Sequence, residues 1–316
     1  MNKKAIEMSF VWILSIIAGA IILILAIYIA ANIIKTNTVE INTKTARDYA
    51  NALDSLQTTS EELAMTSIML PKETRVYTSC NNAGNFGEIR IQFSEKTSLA
   101  KEGWSEKGGD VPTKNQYLFT ESMIQGKQIY FFISSFKMPF KAADIVIAYT
   151  DNYCFVNAPE DVKNSLLSLS SSENSNVTIA DSLSDCLENS KTVCFTNANC
   201  NINVECKDSE CSEGFVSKDE ETLYFAESLL FGRIFSSKAN YECNMKRIAK
   251  RIGYVSEIYA DKSKLVVGTC NSGLYSDIII LANLANNLNS PIGLKVIKEK
   301  ADEIDHKNQE LQCELY

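Results

Sequence analysis

The residues of this chain best equipped for chemistry are ten cysteines: Cys80, Cys154, Cys186, Cys194, Cys200, Cys206, Cys211, Cys243, Cys270 and Cys313. An even number of thiols points to disulfides in an oxidising, non-cytoplasmic compartment. The competing chemistry is metal ligation. Cys194, Cys200, Cys206 and Cys211 have five, five and four residues between them, no CxxC occurs, and His306 is the sole histidine. Zinc sites usually carry at least one closely spaced pair. Disulfides are therefore the expectation, with their connectivity open, and no metal or cofactor is implied.

Other constellations are thinner. A histidine-based triad has only His306 to draw on, and His306 lies in the highly charged stretch ADEIDHKNQE. Glu303 and His306 share the ExxH spacing of di-iron helices, which also need buried glutamates on facing helices. Ser98 and Lys101 form an SxxK, the spacing that sets a serine beside a lysine base on one helical turn. No SDN or KTG accompanies it, and GxGxxG, GxxxxGK[ST], HExxH and GxSxG are all absent. The acidic Asp219, Glu220 and Glu221 read as favourable charge at a helix start. Lys246, Arg247, Lys250 and Arg251 place two basic pairs four apart on one helix, which reads as a solvated face. No catalytic residue is assigned, and the expectation leans away from an enzyme. A net charge of -8 argues against a nucleic-acid partner.

The element that must carry all this is the run Met8–Ile34, which holds no charged side chain. Its 27 residues span about 40 Å as a helix, enough to cross a hydrocarbon core of roughly 30 Å. A secretory signal has a much shorter apolar core followed by a cleavage site. The run is therefore expected to stay as an anchor, with the bilayer as its partner over residues 8–34. Ser15, Ala18, Gly19 and Ala20 form a small-residue face open to another helix, or reflect the ordinary composition of membrane helices.

The segment Lys3-Lys4-Ala5-Ile6-Glu7 ahead of MSFVWIL resembles the start of archaeal type IV pilin-like proteins. The resemblance covers about the first 35 residues. It implies cleavage after Ala5 on the cytoplasmic side by a dedicated membrane peptidase. It also implies a retained apolar helix and a role in a surface filament or the cell envelope. The other reading is a plain, uncleaved signal-anchor. Flanking charges do not set the orientation, because Lys3, Lys4 and the α-amino group face Lys35, Lys44 and Arg47. The cysteines set it: N-terminus cytoplasmic, C-terminal domain extracellular.

Beyond the anchor, TNTVEINTKT at residues 36–45 contains poor helix formers, so a loosened turn is expected. A helical pattern then runs from Ala46 through Tyr49, Leu53, Leu56 and Leu63 and ends before Pro71. Residues 36–70 read as a juxtamembrane helix or stalk. Residues 71–216 read as a strand-rich α/β domain. Expected strands are Glu88–Phe93, Gln128–Phe136 and Asp144–Tyr149, with a loop over Trp104–Asn115.

Tyr153–Val156, a helix opening at Asn157 with Val162, Leu166, Leu167 and Leu169 buried, and Val177–Ala180 form a βαβ pattern. A short helix near Leu183–Leu187 and a strand at Val193–Phe195 continue it as a parallel layer. Asn176 opens the glycosylation sequon Asn-Val-Thr. The cysteine-rich stretch 186–211 reads as an excursion stapled by disulfides.

Residues 217–316 read as helical, opening on a capping box at Ser217–Glu220 that leads into Leu223, Leu230 and Ile234. Further apolar periods run Tyr241–Tyr259, Leu274–Leu288 and Ile297–Leu311. The expected class is α/β or α+β: a transmembrane helix, a mixed sheet with parallel βαβ units, and a helical last third. The function expected is a membrane-anchored structural or interaction protein, self-associating or meeting other envelope proteins. The alternative is an anchored binding module for a small solute or envelope polymer.

Overall fold

The computed structural model describes residues 10–59, 63–98, 103–170, 176–196, 199–265, 273–311 and 314–316. It opens on one helix, α1 (Phe10–Thr59), 50 residues long and therefore about 75 Å from end to end. The turn expected at residues 36–45 does not form. Each local threonine hydroxyl bonds the carbonyl four residues back: Thr36 to Asn32 at 3.0 Å, Thr38 to Ile34 at 2.8 Å, Thr43 to Val39 at 2.7 Å and Thr45 to Ile41 at 3.0 Å. Threonine can satisfy itself within a helix in this way. Packing of the same turns on the domain overrides the weak propensity.

The helical pattern expected up to Leu70 stops at Thr59. Leu63–Asn81 is instead a long strand, β1. Pro71 is accommodated because the pairing of β1 skips from Met69 to Thr74, leaving the proline in a bulge where no donor is required. The first sheet contains β1, β2 (Glu88–Glu95), β3 (Val111–Thr113), β4 (Tyr117–Phe119), β5 (Met123–Lys137) and β6 (Lys141–Tyr149) in the order β3-β2-β1-β5-β6-β4. Val111–Thr113 and its pairing to β2 fall inside the stretch expected to be loop.

The apolar runs in β5 and β6 bury both faces of this sheet. Phe131, Ile133, Val146 and Ala148 face α1, where they join Ala46, Tyr49, Ala50 and Leu53. Tyr130, Phe132, Ile145 and Ile147 face the larger core on the other side.

That larger core is closed by a second sheet. It holds β7 (Tyr153–Val156), β8 (Val177–Ala180), β9 (Lys191–Cys194), β10 (Ile202–Cys206), β11 (Glu213–Lys218) and β12 (Glu221–Ala226), ordered β12-β11-β10-β9-β7-β8. β7, joined through α2 (Glu160–Ser170) to β8, pairs parallel with both β8 and β9, as the βαβ pattern implies. Val162 and Leu166 are buried on α2, whereas Leu167 is exposed. The side chain of Leu169 lies outside the described residues.

Two expectations are corrected here. The cysteine-rich stretch is not an excursion. β10 lies within the sheet between β9 and β11, with Ile202 and Val204 buried. The capping box at Ser217–Glu220 is a hairpin turn. Asp219 and Glu220 both have positive φ (55° and 63°), the geometry of a two-residue turn whose twist matches its strands. The hydroxyls of Ser217 and Thr222 bond across it at 2.7 Å.

The helical portion therefore begins at α3 (Leu229–Phe235), and continues as α4 (Lys238–Leu265), α5 (Tyr275–Asn286) and α6 (Leu294–Gln309). These helices pack their periodic apolar faces on the larger core. The chain is α+β, with a long N-terminal apolar helix, mixed sheets and C-terminal helices.

Candidate functional site

Two halves of one helix define the site. From Leu14 to Asn37 every α1 side chain is exposed, and Ile22, Ile24 and Tyr28 are each more than 60% so. Leaving a large apolar side chain in water forgoes roughly 1.5–3 kcal/mol. The helix is long and apolar enough to cross a membrane. Gly19 has open space around its Cβ position, so the small-residue face has no neighbour at that point among the described residues.

The second half is seized by the domain. Lys35 Nζ meets Glu106 Oε1 at 2.7 Å, directly after the apolar run ends. Fully buried Asn42 donates to Ser105 Oγ at 2.9 Å and to the Glu106 carbonyl at 2.7 Å. The Gly109 N–H donates to Thr43 Oγ1 at 2.7 Å. Gly108 is required here, since a Cβ would stand 2.6 Å from Thr43 N. Further along, the Tyr49 ring lies 5.2 Å from Phe93 and 5.5 Å from Phe131. Gln116 donates to the Ala50 carbonyl at 3.0 Å, and Gln57 donates to the Asp144 carbonyl at 3.2 Å. Residues 36–59 are thus part of the domain and not a free stalk.

A second joint ties the first sheet to α4. Cys80 of β1 is bonded to Cys243 of α4, 163 residues apart in sequence. One turn on, Arg247 is fully buried. It donates to the carbonyls of Phe86 and Gln116, each at 2.9 Å, and to Asn244 Oδ1 at 2.8 Å, with Tyr117 under its guanidinium at 4.9 Å. Burial pulls its pKa below the usual arginine value. Lys250 donates to the carbonyls of Asn82 at 2.8 Å and Gly84 at 2.9 Å. Hence Arg247 and Lys250 of the basic patch are not on a solvated face. They clamp the β1–β2 turn. Nothing in the local pattern signalled this, because a clamp and a wet face share the same four-residue spacing.

A second pair of buried cations was also missed. Lys218 Nζ contacts Glu121 Oε1 at 2.5 Å and donates to the carbonyls of Ile234 at 3.0 Å and Ser236 at 2.9 Å. Arg233 donates to the Lys218 carbonyl at 3.0 Å. Burial depresses the Lys218 pKa against the pull of Glu121. A lysine so depressed is a candidate base or nucleophile. All three of its ammonium protons are spoken for, however, which fits a cap on the carbonyl end of α3. The signal that could have found Arg233 is its setting in LLFGRIF, an otherwise apolar run.

The other predicted residues fall as follows. Besides Cys80–Cys243, the bonded pairs are Cys154–Cys186, Cys194–Cys200 and Cys206–Cys211. Cys270, Cys313, Ala5 and Lys101 lie outside the described residues. Ser98 is exposed, and Asn176 is partly exposed just before β8. His306 is 74% exposed, and Glu303 is engaged by Lys300 at 2.8 Å and Lys307 at 2.6 Å, so the ExxH pair does not assemble. Among the described residues no group of three or more His, Cys, Asp or Glu could hold a metal. A groove of about 490 Å³, lined by Ser134, Asp161, Ser212, Glu227, Leu230 and Phe231, is open and mixed in polarity.

No protein-family model matches the chain, and no curated protein or solved structure matches it.

Proposed function

We propose that this chain is a single-pass, membrane-anchored structural or interaction protein whose disulfide-bonded domain stands outside the cytoplasm. The observation that carries the reading is the division of α1. Its first half is apolar and exposed, and its second half is a core element of the folded domain. One rigid rod thus transmits position from bilayer to domain, as a subunit of an envelope assembly requires. The four disulfides support an oxidising compartment for the domain.

The same build, with the Lys3–Leu14 segment, supports the finer reading of a pilin-like subunit that associates through the exposed half of α1. Non-reducing mass spectrometry of the protein from native membranes tests both levels. The coarse reading expects these four pairs to be oxidised, and reduced thiols there would overturn it. The finer reading expects a mature N-terminus at Ile6, and an intact Met1 or Asn2 would overturn that alone.

A further inference from the structure

The apolar run is about 10 Å longer than a hydrocarbon core, and a helix takes up such an excess chiefly by tilting. Tilt direction is set by side chains that prefer the interface, tryptophan and lysine above all. Exposed Lys44 and Arg47 lie on other faces of α1, but the tryptophan beyond the apolar run stands on one side of the helix only. The loop before β3 packs against the first turns beyond the membrane through Lys35–Glu106, Asn42–Ser105 and Thr43–Gly109. Asn42 stands eight residues past Ile34, so this loop lies within about 12 Å of the end of the apolar run along the helix axis. The loop carries Trp104, with the Arg75 guanidinium 4.0 Å from its ring, and Lys107, which rests 3.6 Å from the Tyr77 ring. Lys107 is exposed, and Trp104 is partly so. The Asn42 and Thr43 bonds hold the loop rigidly to the helix, so any lean of α1 moves the loop as a lever.

We infer that α1 leans toward this loop and that Trp104 and Lys107 rest on the phosphate-bearing headgroups of the outer leaflet. The inference depends on the anchor reading above. The partner is the bilayer in which the helix is already embedded, so the contact is continuous with the anchor and needs no separate encounter. An aromatic ring with a cationic neighbour and a lysine beside it suits this layer, where one end of each group meets hydrocarbon and the other water.

The chain has two tryptophans, Trp12 in the apolar run and Trp104 in the loop, which makes the test direct. Full-length Trp12→Phe and Trp104→Phe variants are reconstituted into phosphatidylcholine–phosphatidylglycerol vesicles. The vesicles carry either acyl-chain bromines or a headgroup nitroxide as quencher. The result expected is loss of Trp12 emission with a brominated lipid and loss of Trp104 emission with the headgroup nitroxide. Protection of Trp104 from aqueous acrylamide, relative to detergent micelles, is expected as well. Trp12 quenched while Trp104 is untouched by the headgroup label would overturn the lean and leave the anchor standing. Trp12 unquenched by any lipid label would overturn the anchor and this inference together.

Discussion

Removing the Cys80–Cys243 link should weaken this protein more than removing any of the other three disulfides described. The link closes 163 residues of sequence, whereas the others close 32, 6 and 5. Loop-closure entropy gives about 5 kcal/mol for the long loop, about 4 for the Cys154–Cys186 loop and about 2 for each short one. The long link also sits in a joint that has its own polar bonds. Arg247, Lys250 and Asn244 still hold α4 to the first sheet after the sulfurs are gone. The native contacts therefore survive, and the loss falls mainly on the unfolded state.

The assay is urea unfolding of the full chain in detergent, comparing Cys80→Ala/Cys243→Ala with Cys206→Ala/Cys211→Ala. With a slope of about 3 kcal/mol/M, the first pair should lower the midpoint by roughly 1.5 M. The second should lower it by less than half of that. Equal midpoints would refute the reasoning. They would mean that the chain already holds β1 and α4 together when unfolded, or that the joint is not what limits unfolding.

Three further outcomes follow from the same contacts. Arg247→Met leaves the carbonyls of Phe86 and Gln116 without their donor in a buried setting, and should cost about 3 kcal/mol by the same urea assay. Gly108→Ala forces a methyl group to within 2.6 Å of Thr43 N, and should cost roughly 1–3 kcal/mol. Hydrogen exchange should then speed up first in residues 38–46. At Asp277 burial opposes ionisation, but the hydrogen bonds and charges of Lys300 and Lys307 win and hold its carboxyl below the ordinary 3.8. A depressed carboxyl stabilises above its unfolded pKa and stops doing so as pH falls through its folded one. Asp277→Asn should therefore lose about 1 kcal/mol near neutral pH, a difference that fades below about pH 4 in thermal unfolding.

What was legible in the sequence was whatever a single local pattern encodes. The strand at 88–93 and the C-terminal helices repeat every two or every 3.6 residues, whereas the apolar run before Ile34 and the strands at 128–136 and 144–149 stand out as unbroken apolar or β-branched stretches. The misreadings came where two signals share residues. Ser217-Lys218-Asp219-Glu220 satisfies a capping box. It also fits a hairpin whose flanks, GFVSK and TLYFA, alternate buried and exposed positions only in part. Pairing with β10 decided for the strand, and such long-range pairing is not encoded locally. Leu63–Leu70 failed for the same reason, since its partner strand β5 lies some 60 residues on.

The continuity of α1 through residues 36–45 is the hardest case and the one that bears most on function. Four threonines and two asparagines lie between Thr36 and Thr45, a composition that favours a break in an isolated peptide. The helix persists because the loop that packs on it needs just these polar side chains: Asn42 to reach Ser105 and Glu106, and Thr43 to accept from Gly109. An alanine-rich stretch would be a better helix and a worse seat. The polar residues that look like a hinge in sequence are what join the exposed apolar half of α1 to the domain as one continuous helix. A flexible tether would let the domain sample any orientation over the membrane. This seat fixes one orientation, which a protein needs if its task is to present a surface to neighbours in the same membrane.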